Sequence, residues 1–204
     1  MTRPSLLSVA LAALACAAMP VATPARAQQQ SESYKFLNAI REAKGNDVIA
    51  MLDRPGSSVV NARDISTGEG ALHIVIKRGD ETYLRYLLQK GADPNLRDAQ
   101  GNTPLILAVQ AGQRDMIPIL AAAKANPNLG NQSGVTPLIL AVQGRSIDMV
   151  RLLLAAKADP DQADMMAGLS ARDYANQDTR STAIAKLFAE TPKKARPAVA
   201  GPKF

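Results

Sequence analysis

The sequence predicts an all-α solenoid, in which short helix-turn-helix repeats stack along one axis. The first observation is a segment that occurs twice with few changes, at 101–110 and at 134–143, an offset of 33 residues. The second is that Leu72, Leu105 and Leu138 follow the same spacing of 33 residues. A fixed period of this size is typical of stacked repeat proteins, in which each unit buries its apolar face only against its neighbours.

A second block recurs in step with the first. Residues 87–95 read Leu-Leu-Gln-Lys-Gly-Ala-Asp-Pro-Asn, and related segments stand at 120–128 and 153–161. Degraded copies of the first block stand at 68–75 and 168–175. Two blocks that keep one register over several copies are a specific signal of a repeat architecture.

These two blocks resemble the ankyrin repeat. The G-x-T-P-L-H-x-A block of that family is present at 101–108 and 134–141, with isoleucine in place of histidine, and its L-L-x-x-G-A-D-x-N block is present at 87–95. The resemblance extends from about Phe36 to Ala189. It implies an ankyrin-repeat solenoid of about five helix-turn-helix repeats with short projecting turns.

The period divides the chain into segments. Within a repeat domain at 34–190, the predicted repeats are 34–63, 64–97, 98–130, 131–163 and 164–190. The first repeat lacks the Thr-Pro block, as expected of a capping unit with one solvated face. A longer loop predicts a surface bulge at 54–58. A polar lead-in at 28–33 precedes the repeats, and a basic, proline-rich tail at 191–204 is predicted to be disordered.

Local signals predict where the helices begin and end in the two best-preserved repeats. Thr103 and Thr136 are suited to cap a helix through the hydroxyl group, and proline follows each of them at the first helical position. Gly112 is suited to end the first of these helices. The second helix of repeat three should occupy about 114–123.

Three further positions constrain that second helix and its counterpart in the next repeat. Pro118 is tolerable only in the first turn, where its missing amide hydrogen has no partner, so the helix should begin near Asp115. Lys124 and Lys157 stand where repeat two has Gly91. If these positions are left-handed, both lysines should be strained relative to glycine.

Residues 1–27 predict a cleaved secretory signal. Arg3 precedes an apolar stretch at 6–18, and Ala-Arg-Ala at 25–27 matches a cleavage pattern that leaves Gln28 as the new N-terminus. The apolar stretch is too short to span a bilayer. We therefore expect a periplasmic or secreted protein with no integral membrane span after cleavage.

Composition narrows the classes of partner. The formal net charge of +6 is a mild excess, and aromatic residues amount to only 3%, so we predict no nucleic-acid partner. Cys16 is the single cysteine and lies in the leader, so the mature protein would contain no disulfide. A lipid-anchored scaffold acylated on Cys16 is the alternative.

His73, the single histidine, occupies the family's histidine position, where the resemblance implies a bond to a neighbouring loop. No cysteine or serine nucleophile motif accompanies it, which favours a structural role. The family's threonine position is Gly70 in this repeat, and the threonine repeats lack the histidine. We therefore expect apolar contacts to replace the family's hydrogen bonds between turns.

Carboxylates at the repeat loops predict turn and cap roles. These residues are Asp93, Asp98, Asp159, Asp161 and Asp164, and they lack the spacing and glycine of a calcium loop. We expect neither a metal nor a cofactor. A periplasmic enzyme that uses dispersed carboxylates is the alternative function.

The resemblance implies a non-enzymatic, monomeric protein-protein interaction module, acting as a scaffold, an inhibitor or a chaperone-like binder. In this family the projecting turns and the outward side of the first helices line a concave binding face. Carried over residue by residue, the candidate partner-binding residues are Ser66, Glu69, Lys77, Arg78, Gln100, Asn102, Gln110, Gln132, Ser133, Val135, Gln143, Met166 and Leu169.

This surface is basic in repeat two, polar at its centre and apolar in repeat five. Such a gradient suits a partner with an acidic patch beside a small apolar one. Met165 and Met166 stand at the turn of repeat five, where they either form an adaptable contact surface or tuck under the last repeat.

Overall fold

The computed structural model describes residues 24–191, with side chains from residue 32 onward. Within this range the regular secondary structure is helical and forms five successive helix pairs. The helices are α1 (Pro24–Arg41), α2 (Gly45–Leu52), α3 (Ala71–Arg78), α4 (Glu81–Gln89), α5 (Pro104–Gln110), α6 (Met116–Ala122), α7 (Pro137–Gln143), α8 (Ile147–Ala155), α9 (Ala171–Gln177) and α10 (Thr182–Ala189). A 3-10 turn, Val59–Asn61, follows α2. The predicted all-α solenoid is confirmed.

The odd-numbered helices form one layer and the even-numbered helices form the other. Helices α3, α5 and α7 each contact the odd-numbered helix on either side, and α8 contacts both α6 and α10. The core between the layers consists mainly of leucine, isoleucine, valine and alanine. Phe36 and Phe188, both fully buried, lie in the first and last repeats. Thin layers of aliphatic side chains therefore build a continuous core with few aromatic residues.

Hydroxyl caps start the odd-numbered helices. The Oγ1 atoms of Thr103 and Thr136 each accept a hydrogen bond of 3.3 Å from the backbone N–H three residues on. Proline follows each threonine as the first helical residue. In α9, Ser170 and Asp173 cap each other reciprocally. The predicted threonine caps are confirmed.

Helix α6 begins where its proline allows. Its first residue is Met116 and its N-terminal flanking residue is Asp115, so Pro118 is the third helical residue. The amide groups of the first turn have no partner within a helix, and proline therefore removes no hydrogen bond there. The predicted start near Asp115 is confirmed.

Residues other than glycine adopt left-handed backbone conformations between the helices. Lys124 and Lys157 have φ angles of 66° and 70°, at the position where Gly91 has 87°, as predicted. Arg145, with a φ of 54°, was not predicted. The corresponding position in repeats two and three is glycine, at Gly79 and Gly112. The backbone is strained at all three charged residues.

Backbone hydrogen bonds join the projecting turns, so the expectation that apolar contacts replace them is wrong. One N–H···O bond links each pair of neighbouring turns in repeats two to five. The donors are Ala99, Gln132 and Met165, and the acceptors are the carbonyl groups of Thr67, Gln100 and Ser133, at 2.8, 3.0 and 2.9 Å respectively. These bonds use main-chain groups and therefore need no threonine–histidine pair.

Asparagine side chains join the loops at the opposite end of the repeats. The amide of Asn95 accepts from the N–H of Asn126 at 2.7 Å and donates to the carbonyl of Lys124 at 3.3 Å. Asn61 and Asn128 make the equivalent bonds one repeat earlier and one repeat later. The carbonyl of each left-handed residue in this row is therefore an acceptor between repeats.

An ion pair replaces the asparagine contact in the last repeat. Asp161 stands in the asparagine row, and its Oδ1 lies 2.7 Å from Nε of Arg172. Arg172 occupies the core position that leucine holds in the three preceding repeats, and its guanidinium also donates to the carbonyls of Phe188 and Thr191. Arg172 thus binds Asp161 where an internal repeat would use the backbone of its successor.

Several predictions concern segments at the ends of the chain. Of the predicted signal at 1–27, only 24–27 are described, and they belong to α1, as does the lead-in at 28–33. Cys16 and the tail from residue 192 onward lie outside the described residues. The bulge at 54–58 is at the surface, as predicted. None of the helices between residues 24 and 191 is long and apolar enough to cross a membrane.

Candidate binding surface

The predicted partner-binding residues all lie at the surface. The exposed ones are Ser66, Lys77, Arg78, Gln100, Gln110, Gln132, Gln143 and Met166, and the half-buried ones are Glu69, Asn102, Ser133, Val135 and Leu169. They belong to the projecting turns before α3, α5, α7 and α9 and to the exposed sides of those helices. We call this surface the first-helix face.

Side-chain contacts show that the turns and the helices share this face. In repeat two, the ammonium group of Lys77 pairs with the carboxylate of Glu69 in the turn. In repeat five, the Tyr174 hydroxyl donates a hydrogen bond of 2.6 Å to Asp164 in the turn. The predicted turn and helix residues of repeat two are therefore brought together.

The two basic residues of repeat two are held within the fold. Nη1 of Arg78 donates to the carbonyl of Ile40 at 2.6 Å, and its Nη2 pairs with Asp80 at 2.9 Å. The guanidinium also lies 5.4 Å from the centroid of the Tyr83 ring. Because Lys77 is paired as well, the structure corrects the expectation of a free basic end in repeat two.

His73 links two neighbouring turns from a fully buried position. Its Nδ1 accepts from the N–H of Gly70 at 3.1 Å, and its Nε2 lies 3.2 Å from the carbonyl oxygen of Asn102. The neutral tautomer with hydrogen on Nε2 satisfies both bonds. Burial lowers the pKa of His73, although the Asn102 carbonyl and the charges of Asp98 and Glu69 oppose this effect. The predicted structural role is confirmed, even with glycine at the threonine position.

Some amide side chains at the centre of the face are already engaged. Nδ2 of Asn102 donates to Oδ2 of Asp98 at 3.0 Å within its own turn. Nε2 of Gln132 donates to the carbonyl of Ala99 at 2.7 Å, between repeats three and four. These two predicted residues stabilise the turns and present only part of their polar surface to a partner.

A row of exposed polar residues runs along the ends of the odd-numbered helices. Lys77 lies near the end of α3, while Gln110 and Gln143 are the last residues of α5 and α7. Gln177, the exposed last residue of α9, continues the row. We call these four residues the helix-end row. Sequence reasoning missed Gln177, although it stands one period after Gln143.

The turns of repeats two and five carry exposed apolar side chains. Met165 is 75% exposed and Met166 is 80% exposed, which excludes the interpretation that they tuck under the last repeat. Ile65, at the turn of repeat two, is 82% exposed and was missed by sequence reasoning. The apolar surface is therefore present at both ends of the face, whereas it was predicted only near Met166 and Leu169.

A pocket of about 380 Å³ opens between the ends of α7 and α9. It is lined by Val142, Gln143, Arg145, Tyr174, Gln177, Asp178 and Arg180. Nε of Arg145 lies 2.6 Å from Asp178 Oδ2, and Nε of Arg180 lies 3.6 Å from Asp178 Oδ1. The hydrogen bond from Arg145 is the main reason that the pKa of Asp178 lies well below its ordinary value. Of the lining residues, only Gln143 was predicted.

The loop carboxylates are bound within their turns. Asp93, Asp98, Asp159 and Asp164 each accept a hydrogen bond from the backbone N–H two residues on, which confirms the predicted turn role. The Tyr174 hydroxyl is the main cause of the lowered pKa of Asp164, and this contact raises the pKa of Tyr174. Among the described residues, no group of three or more histidine, cysteine, aspartate or glutamate side chains is placed to hold a metal ion.

Comparisons with known proteins agree with the architecture. A family model of three ankyrin repeats matches residues 36–131 and 72–164. Human oxysterol-binding protein-related protein 1 is 37% identical over 83 residues, which cover 41% of this chain and 9% of that protein. A putative ankyrin repeat-containing protein of Treponema pallidum is 34% identical over 85 residues, 36% of this chain and 28% of the relative. A putative ankyrin repeat protein of Pyrobaculum aerophilum is 46% identical over 55 residues, 27% of this chain and 18% of the relative.

The matched region therefore spans less than a third of each of these relatives. The similarity to them is confined to the repeats and carries no information on their other domains. The family model, in contrast, covers more than half of the present chain. This protein belongs to the ankyrin-repeat family.

Proposed function

We propose that this protein is a non-enzymatic protein-binding module that acts in the periplasm or outside the cell through its first-helix face. The observation that carries the proposal is the helix-end row. Its residues are exposed on helices whose opposite sides are buried, so core packing does not dictate their identity. Ankyrin repeats typically bind other proteins, which supports the same assignment.

The chemistry of the face suits a protein surface. The amides of Gln110 and Gln143 both donate and accept hydrogen bonds, which fits a polar protein surface. Met165 and Met166 are flexible and apolar and adapt to an irregular partner. The buried, hydrogen-bonded state of His73 and the engaged loop carboxylates support a binding role over a catalytic one.

The test is a crosslinked pull-down from a periplasmic extract of the producing organism with matched variants. The double variant Gln110→Arg/Gln143→Arg adds two charges to the helix-end row. The control, Ala122→Arg/Ala155→Arg, adds the same charges to the exposed last residues of α6 and α8 in the same two repeats. We expect the first variant to lose the captured partner and the control to retain it. Loss only in the control, or in neither, would contradict the proposal.

Export is tested separately, by the mass of the mature protein. Cleavage after Ala27 would remove the first turn of α1, whereas the buried residues Phe36, Leu37 and Ile40 would keep the helix packed on the stack. We expect a mature protein that begins at Gln28. A mass that includes Met1, or one that shows an acylated Cys16, would contradict this part of the proposal.

A further inference from the structure

The pocket between α7 and α9 differs in charge from the rest of the first-helix face. Its two arginines, Arg145 and Arg180, share one carboxylate, Asp178, and therefore leave a net positive charge. Asp164 binds the Tyr174 hydroxyl but does not line the pocket. In repeat two, in contrast, each cation is matched by its own carboxylate.

Arg145 keeps donors available for a ligand. Its contact with Asp178 uses Nε, and within the described part of the chain its two terminal NH₂ groups make no other hydrogen bond. A guanidinium group binds a carboxylate best through two parallel N–H···O bonds. The exposed Arg180 contacts Asp178 only at 3.6 Å and can turn toward the same ligand. The amides of Gln143 and Gln177 add further donors at the rim.

The backbone at Arg145 favours glycine rather than arginine. Its φ of 54° is left-handed, and repeats two and three place Gly79 and Gly112 at the same position. The strain amounts to about 1–2 kcal/mol for a residue other than glycine. The ion pair with Asp178 is partly exposed and contributes little in return. Stability alone therefore does not account for arginine at this position.

We propose that this pocket binds an aspartate or glutamate side chain from an acidic segment of the partner protein. The proposal rests on the proposed function and places the acidic contact in repeats four and five, not at Lys77 and Arg78. Its volume lies within the range of about 300–1,000 Å³ that is usual for ligand pockets. The exposed Met165 and Met166 lie in the turn of repeat five, so the acidic side chain would enter near an apolar contact.

The variant Arg145→Gly separates binding from folding. It removes the guanidinium and relieves the left-handed strain, so its urea midpoint should equal or exceed that of the wild type. Lys124→Gly is the matched control, because it removes one positive charge and relieves the same kind of strain in the loops at the other end of the repeats. Arg180→Gln, at an exposed position, is a second variant that leaves the backbone unstrained.

The experiment is a nuclear magnetic resonance titration with acetyl-Gly-Glu-Gly-amide as the probe. We expect saturable shifts of the Nε–H signals of Arg145 and Arg180, with a Kd on the order of a millimolar, and none with the Gln peptide. Arg145→Gly should weaken binding about tenfold and Arg180→Gln should also weaken it, whereas Lys124→Gly should not.

The outcomes distinguish this proposal from the one on which it rests. Absence of shifts with the Glu peptide would overturn the pocket proposal, and a positive pull-down would leave the protein-binding proposal intact. Equal weakening by Lys124→Gly would mean that only overall charge matters, which also overturns it. Saturable binding of inorganic phosphate without binding of the peptide would identify an anion site of another kind and overturn the assignment to a protein carboxylate.

Discussion

Replacing Lys124 by glycine should stabilise the protein, although it removes a whole side chain. The φ angle of 66° costs a residue other than glycine about 1–2 kcal/mol, whereas the greater freedom of glycine in the unfolded chain costs about 0.5–1 kcal/mol. The Lys124 side chain is exposed, and the carbonyl that accepts from Asn95 is unchanged. The net gain should be about 0.5–1 kcal/mol, or about 1–4 °C in Tm.

Urea unfolding measures this gain as a higher midpoint with an unchanged slope. The control is the neighbouring Ala123→Gly, because Ala123 has a φ of −81° and gains nothing from glycine. It should lose about 0.5–1 kcal/mol. If Lys124→Gly instead loses stability as Ala123→Gly does, the left-handed conformation is not a source of strain and the reasoning fails.

Three further predictions concern the core, a buried histidine and the exposed methionines. Leu105→Ala should lower the free energy of unfolding by about 2–5 kcal/mol, because Leu105 is fully buried in α5; an unchanged urea midpoint would place it outside the core. Because its folded pKa is lowered, His73 should cost the protein stability as the pH falls below about 6.5, where only the unfolded chain binds the proton. His73→Gln should therefore flatten the dependence of the urea midpoint between about pH 7 and pH 5, and equal slopes would refute the buried neutral state. Dilute hydrogen peroxide should oxidise Met165 and Met166 before the buried Met116, as read by peptide masses; the reverse order would contradict their exposure.

Much of the fold follows from signals that are local or periodic. The period of 33 residues identifies which positions stack, and Leu105 is buried as its register requires. Thr103 and Pro118 act within one helical turn, so their positions alone predict where α5 and α6 begin. Such signals need no knowledge of how distant side chains meet.

The charge distribution of the site could not be predicted in the same way. A period shows that Arg145 and Asp178 lie in neighbouring repeats, but it does not show that their side chains meet. Arg78 looks like a surface cation in the sequence, yet its contact with the Ile40 carbonyl depends on the angle between α1 and α3. The backbone bonds between turns carry no sequence signal, since any residue supplies N–H and C=O groups.

The central claim, that a partner protein binds the first-helix face, is tested most directly by site-specific photocrosslinking. A photoreactive amino acid at Gln143 or at Gln110 samples the helix-end row, and one at Ala155 samples the end of α8 in the same repeat as Gln143. We expect one covalent adduct with a partner protein from Gln143 and Gln110, and none from Ala155. An adduct from Ala155 without one from Gln143 or Gln110 would contradict the account.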